Sequence, residues 1–254
     1  MSDPVASALE VYWRFFEGTN SRDPVRVVDA LNYPHVRVGA RGETGIVPDR
    51  ETHAGKMTFD ALLETGWDHT VGVEPEVLHE SSDKVHLRGG WTRYDSDIKP
   101  IMTNAVTYIV TLVEGRWGFQ SRFGTDSELF WGRPEDRPVE GRFDLPANTR
   151  EATQVVVSAL EATGVDAIPQ FHFPCFFVQP GNVELIADPA ELGRMLPGEI
   201  FEINDVEAVQ TGATGAVVSC TASTGGEEIQ GVLMVKIENN RWGIKGASLI
   251  TSKR

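Results

Sequence analysis

Apolar residues recur at three- and four-residue steps near the start of the chain. Val5, Leu9, Tyr12, Trp13 and Phe16 form a stripe that predicts a helix of about 15 residues. Asp3 supplies its N-cap and Pro4 its first turn. A second stripe, Val155, Val156, Ala159 and Leu160, predicts a helix from Asn148 to Glu161. After each helix the period changes to that of strands, expected near 35–40, 73–80, 83–94, 102–113 and 116–124, then near 174–179, 181–187, 201–210, 214–223, 229–238 and 241–250. Short helices are expected near 23–31, 58–66 and 188–195. Helices followed by consecutive hairpins predict an α+β fold, with a curved antiparallel sheet wrapped round N-terminal helices.

The pattern occurs twice. Tyr108 to Phe119 and Leu233 to Ile244 each run from an apolar strand through a turn into Arg-Trp-Gly, with Trp117 and Trp242 standing 125 residues apart. The turns Glu114-Gly115 and Asn239-Asn240 suit the positive φ of a tight hairpin. Upstream, Tyr33-Pro34-His35 answers Phe173-Pro174-Cys175 at a spacing of 140 residues. Trp131 to Pro146 carries Pro134, Pro138 and Pro146 among charged residues and reads as a linker. The expected organisation is a domain over 1–130, a linker over 131–146 and a second, degenerate domain over 147–254.

These features resemble the NTF2-like, SnoaL-like superfamily with its cystatin-like cone fold, present as two tandem copies. The first copy carries the resemblance through Asn20-Ser-Arg-Asp23, Tyr33-Pro34-His35, Asp83-Lys84-Val85-His86, Thr92-Arg93-Tyr94 and Gly115-Arg116-Trp117-Gly118. The second keeps the helix, the Phe-Pro turn and the Arg-Trp-Gly hairpin. The resemblance implies a sheet curled round an apolar pocket. Relatives of that kind include ketosteroid isomerase, scytalone dehydratase, epoxide hydrolase and polyketide cyclase enzymes as well as noncatalytic binders, so fold alone assigns no function. Single-domain relatives commonly pair sheet to sheet, which implies an internal pseudo-dimer and leaves room for a homo-oligomer.

Composition narrows the partners. With 37 acidic against 23 basic residues the net charge is −14, which disfavours nucleic acid and anionic membranes. No apolar run approaches the roughly 20 residues of a membrane span. Met1-Ser2-Asp3-Pro4 has no basic or apolar leader character, so a cytoplasmic location is expected. Cys175 and Cys220 read as reduced core residues. There is no P-loop, no G-x-G-x-x-G after a strand and no G-x-S-x-G. His53, His79 and His86 lack partners at helical metal spacing, so neither a metal nor another cofactor is predicted.

What remains is acid-base chemistry by polar groups in an apolar pocket. His35, held behind Pro34 at the mouth of a strand, and the Trp67-Asp68-His69-Thr70 segment supply the candidate catalytic residues His35, Asp68 and His69. Tyr33, Trp67, Arg93, Tyr94, Tyr108 and Arg122 are the candidate substrate contacts, through hydroxyls, guanidiniums and an aromatic wall. Strict alternation puts Trp91 and Arg93 on one face and Thr92 and Tyr94 on the other, and separates Trp117 and Phe119 from Gln120 and Arg122. In the second copy Tyr33, His35, Tyr108 and Arg122 map to Phe173, Cys175, Leu233 and Ala247. The expected function is therefore a small-molecule pocket in the first domain for an apolar oxygenated ligand, either performing cofactor-independent proton transfer (isomerase, dehydratase, cyclase or hydrolase type) or binding without catalysis. The second interior is expected to be filled or dry, with Phe171, Phe173, Phe176 and Phe177 supplying bulk.

Overall fold

The computed structural model describes residues 3–38, 44–125, 149–196, 198–212 and 214–253. The expected linker at 131–146 and the capping Asn148 lie outside the described residues. The chain divides into two compact units, one on the described residues up to 125 together with Pro180–Asn182, the other on the described residues of 149–179 and 183–253. Both are α+β. Among the described residues no helix is long and apolar enough to cross a membrane.

The first unit opens with α1 (Pro4–Asn20), where the Asp3 carboxylate accepts from the amides of Val5 at 2.9 Å and Ala6 at 3.3 Å. Its core face is Ala8, Val11, Tyr12, Phe15 and Phe16, rotated slightly from the stripe read in the sequence. Trp13 is left 37% exposed. The short α2 (Pro24–Asp29) is capped in the same way by Asp23. Seven strands follow: β1 (Leu31–Val38), β2 (Thr44–Val47), β3 (His69–Gly72), β4 (Glu76–Glu80), β5 (Lys84–Tyr94), β6 (Pro100–Val113) and β7 (Arg116–Gly124). Their order is β2-β1-β7-β6-β5-β3, with β4 also on β5. Every pair is antiparallel except β1 with β7. The core lies between α1 and the sheet, with Leu31, Leu87, Tyr108, Val110 and Phe119 opposite the helix. Two helices between β2 and β3, α3 (Arg50–Lys56) and α4 (Asp60–Leu63), complete the unit.

The second unit repeats this arrangement with α5 (Thr149–Glu161), a 3-10 helix at Gly164–Gln170, β8 (Phe171–Gln179), β9 (Asn182–Ile186), α6 (Pro189–Met195), β10 (Glu202–Thr211), β11 (Gly215–Thr224), β12 (Glu227–Glu238) and β13 (Arg241–Lys253). Its sheet runs β10-β11-β12-β13-β8-β9, and β8 with β13 is again the parallel pair. The Tyr33–Pro34 and Phe173–Pro174 bonds are both cis.

The repeated Arg-Trp-Gly has one physical role in both units. Arg116 donates to the carbonyls of Asp29 and Leu31 and to Asn32 Oδ1, each at 2.8 Å. Arg241 donates to the carbonyls of Pro169 and Phe171 and approaches His172 Nδ1 at 3.1 Å. Each guanidinium thus clasps the entry of the first long strand. The glycine two residues on leaves room for the clasped side chain, since a Cβ at Gly118 would stand 2.7 Å from Asn32 Oδ1 and one at Gly243 would stand 2.6 Å from His172. The turns before the motif have the expected positive φ, 50° and 80° at Glu114 and Gly115, 53° and 57° at Asn239 and Asn240.

One departure from strict alternation sets the site. Val110 pairs with Phe119 but Ile109 pairs with Ser121, so Gln120 is an extra residue in β7. This bulge turns Arg122 onto the same face as Phe119, where simple alternation separates them. The second unit has the same device at Lys245.

Candidate functional site

The helical layer and the sheet of the first unit bound a cavity of about 680 Å³. That is the size of a small-molecule site. Phe15 and Phe16 of α1, Phe59, Leu62 of α4, Trp91, Met102 and Val106 form its apolar wall. Thr19, Thr58, Thr65 and Thr70 add hydroxyls, and a further set of polar groups stands on neighbouring strands. Tyr108 of β6, Arg122 of β7 and Arg37 of β1 are register partners and stand in one row across the sheet. Asn104 and Trp91 form a parallel row, and Met102 and Arg93 the next. From α3 come His53 and Lys56. That helix is fixed by its Asp49 cap, which accepts from Thr52 N at 2.7 Å, and by the Arg50–Asp29 ion pair at 2.6 Å.

The charged groups in this lining are Arg37, Lys56, Arg93 and Arg122, and among the described residues no aspartate or glutamate lines it. The two inner arginines are held by neutral partners. Arg122 Nε donates to His35 Nε2 at 3.2 Å, and its guanidinium lies 4.9 Å from the centre of the Phe15 ring. Arg93 stacks on Trp91 at 4.4 Å and reaches the Met102 sulfur at 3.9 Å. Burial, with the charge of Arg37 added, lowers Arg122 to about 9 and Arg93 to about 10, so both remain cations at neutral pH.

Histidine does two different things here. His35 is fully buried, and burial with the adjacent Arg122 charge holds it well below the usual histidine range. Its Nδ1 donates to the Phe119 carbonyl at 2.9 Å, which leaves Nε2 as the acceptor for Arg122. It therefore stands behind the cavity and orients Arg122. His53 lines the cavity, and burial followed by the Arg122 and Arg37 charges lowers it to about 4. Its Nδ1 is 3.0 Å from the Tyr33 hydroxyl, which burial raises to about 12.

Of the residues singled out in the sequence, Arg93, Tyr108 and Arg122 line the cavity. Tyr33 and His35 touch it only through His53 and Arg122. Trp67 is 2% exposed and donates to Thr70 Oγ1 at 2.9 Å while stacking on Phe59, so it backs the wall without facing the cavity. Asp68 and His69 do not meet His35. Asp68 lies within 3.8 Å of Arg22 and 3.0 Å of His69 Nδ1, and His69 stacks on Tyr94 at 5.3 Å on β3, the edge strand. Arg37, His53 and Asn104 were not singled out. Asn104 had a legible signal as the polar residue in an inward series with Met102, Val106 and Tyr108; His53 had one in the Asp49 cap and Glu51, which mark a helix start.

The depressed histidines give a pH expectation. In the unfolded chain they titrate near 6.5, and His53 folded titrates near 4. The unfolded state therefore binds more protons in that window, and stability falls as pH drops from 6.5 toward 4. Thermal melts across this range should show the loss, and His53→Gln should remove its share of the slope. An unchanged slope would mean that His53 is not held neutral.

Comparison with protein families finds no family that matches, and comparison with curated proteins finds no match. Solved structures do resemble parts of the chain. A protein of unknown function with a cystatin-like fold from Nostoc punctiforme is 15% identical over 50% of this chain and 92% of its own, at a TM-score of 0.41. An NTF-2-like protein of unknown function from Shewanella oneidensis is 13% identical over 48% and 98%, at 0.40. A ketosteroid isomerase-like protein from Erwinia carotovora atroseptica is 16% identical over 48% and 95%, at 0.38. Each covers about half of this chain.

Proposed function

We propose that the first unit is a small-molecule pocket for an apolar, oxygenated compound carrying one anionic group, held by Arg122 and Tyr108 with Arg37 at the mouth. The observation that carries this is that the charged groups of the lining are all cationic among the described residues. A desolvated guanidinium without a counter-ion is costly, and a carboxylate offsets that cost through charge-assisted hydrogen bonds. On a chain of net charge −14, the cavity concentrates positive charge where an anion can be focused. Tyr108 adds a hydroxyl that burial keeps protonated.

Proton transfer on the bound anion is the second reading, and the His53–Tyr33 hydrogen bond favours it. His53 is a neutral imidazole at the cavity wall, and Arg122 could stabilise an enolate formed there. Among the described residues no carboxylate lines the cavity to act as a base, and Asp68 is not in the lining.

The test is a thermal-shift series of ring carboxylates against their primary amides. The carboxylates should raise the melting temperature and the isosteric amides should not. Equal stabilisation by both members of each pair would refute an anion site.

A further inference from the structure

The cavity contains a second polar feature that an anion cannot satisfy. Asn104 is 3% exposed and lines the cavity, and its side-chain oxygen, shut off from solvent, has no hydrogen-bond partner. Tyr108, 1% exposed, likewise has an unpartnered hydroxyl. Buried polar atoms are ordinarily paired, and one left unpaired is costly. The two atoms ask for different chemistry. The Tyr108 hydroxyl can donate to the anion held by Arg122, its register partner on β7. The Asn104 oxygen is an acceptor only and requires a donor.

Resting on the anion-pocket reading above, we infer that the ligand is a hydroxy-substituted ring carboxylate, with its carboxylate at the Tyr108–Arg122 row and its hydroxyl donating to Asn104. Both residues lie on β6 four positions apart, so their α-carbons are roughly 13 Å apart along the strand. That separation puts the two groups at opposite ends of a rigid ring system. The space between is apolar, with Val106 between the two residues on β6 and Phe15 and Phe16 of α1 also in the wall. Trp91, the register partner of Asn104, supplies an aromatic face beside the hydroxyl end.

The probes are 2-naphthoate and 6-hydroxy-2-naphthoate, which differ only in a hydroxyl at the far end of the ring system. Calorimetry on the wild-type chain should show the hydroxylated compound binding at least about tenfold more tightly, the effect of pairing a buried acceptor. Asn104→Leu should abolish that preference and bind 2-naphthoate at least as tightly as wild type does. Asn104→Ala should abolish the preference as well, without adding bulk. Should 2-naphthoate bind while the hydroxyl confers no preference, or the preference survive in both variants, the Asn104 subsite is overturned and the anion pocket stands. Should neither naphthoate bind the wild-type chain, the anion pocket falls with it.

Discussion

Arg122→Met is expected to raise the melting temperature by about 2–4 °C, the equivalent of roughly 1 kcal/mol in a protein of this size, while weakening ring-carboxylate binding about a hundredfold, roughly 3 kcal/mol. Stability and binding move in opposite directions because the guanidinium is half-buried without a carboxylate. Its contacts are a neutral imidazole, His35, and the face of Phe15. Replacing an inadequately compensated, half-buried charge with an apolar chain of similar length removes its share of desolvation penalty. Methionine is flexible enough to fill the space beside Phe15 and Tyr108. His35 Nε2 loses its donor, which limits the gain. Paired melts with and without a ring carboxylate measure both quantities. A variant that melts lower and still responds to the anion would show that Arg122 is a structural residue.

His35→Asn separates positioning from binding at the same place. The imidazole never reaches the ligand in this arrangement; it aligns Arg122 between the Phe119 carbonyl and the cavity. Its loss should weaken anion binding less than loss of Arg122, and Arg122→Lys should not restore full affinity, because a lysine cannot present the planar fork to a carboxylate. Calorimetric titration of 2-naphthoate into these variants orders the effects. Equal losses in His35→Asn and Arg122→Met would instead put His35 in direct contact with the ligand.

The repeat and the α+β class were legible because each rests on local chemistry. The hairpin turns need positive φ, and the Arg-Trp-Gly motif carries its own clasp in Arg116 and Arg241. The periodicity of α1 was also legible, although its buried face was rotated, because an aromatic-rich helix offers two nearly equivalent stripes and only the sheet selects between them. What alternation could not supply was the site. Arg122 faces the cavity because of a single extra residue at Gln120, and nothing local marks a bulge between two apolar runs. The strand β3 precedes the strand expected near 73–80 and went unpredicted, because four edge residues of mixed burial make too short a pattern. Asp68 and His69 drew attention as adjacent acid and base. Burial and register decide which polar residues share a cavity, and both are set by pairings such as His69 with Tyr94 that span long stretches of chain.

The two units differ most where their strands correspond most closely, and this supports the expectation with the largest destabilisation. The row Tyr108–Arg122–Arg37 has as its counterpart Leu233–Ala247–Phe177, joined by the same register pairs around the same bulge. Ala247 is 2% exposed and Leu233 6%, and Phe177 packs against their cluster. Cys175 stands where His35 supports the arginine, and burial raises its thiol to about 11, which leaves it a poor acceptor for a guanidinium. Ala247→Arg therefore introduces bulk and an unpaired charge into an apolar interior, and should destabilise the second unit by more than about 4 kcal/mol, or prevent it from folding. Chemical denaturation followed by the two units' tryptophans would report this as a transition at much lower denaturant or as its disappearance. Arg122 shows that the fold accommodates a guanidinium at this register when a cavity, an imidazole and an aromatic face surround it. An Ala247→Arg chain that denatures like wild type would mean that the second interior holds an open polar cavity, and that loss of the arginine row does not mark a closed unit.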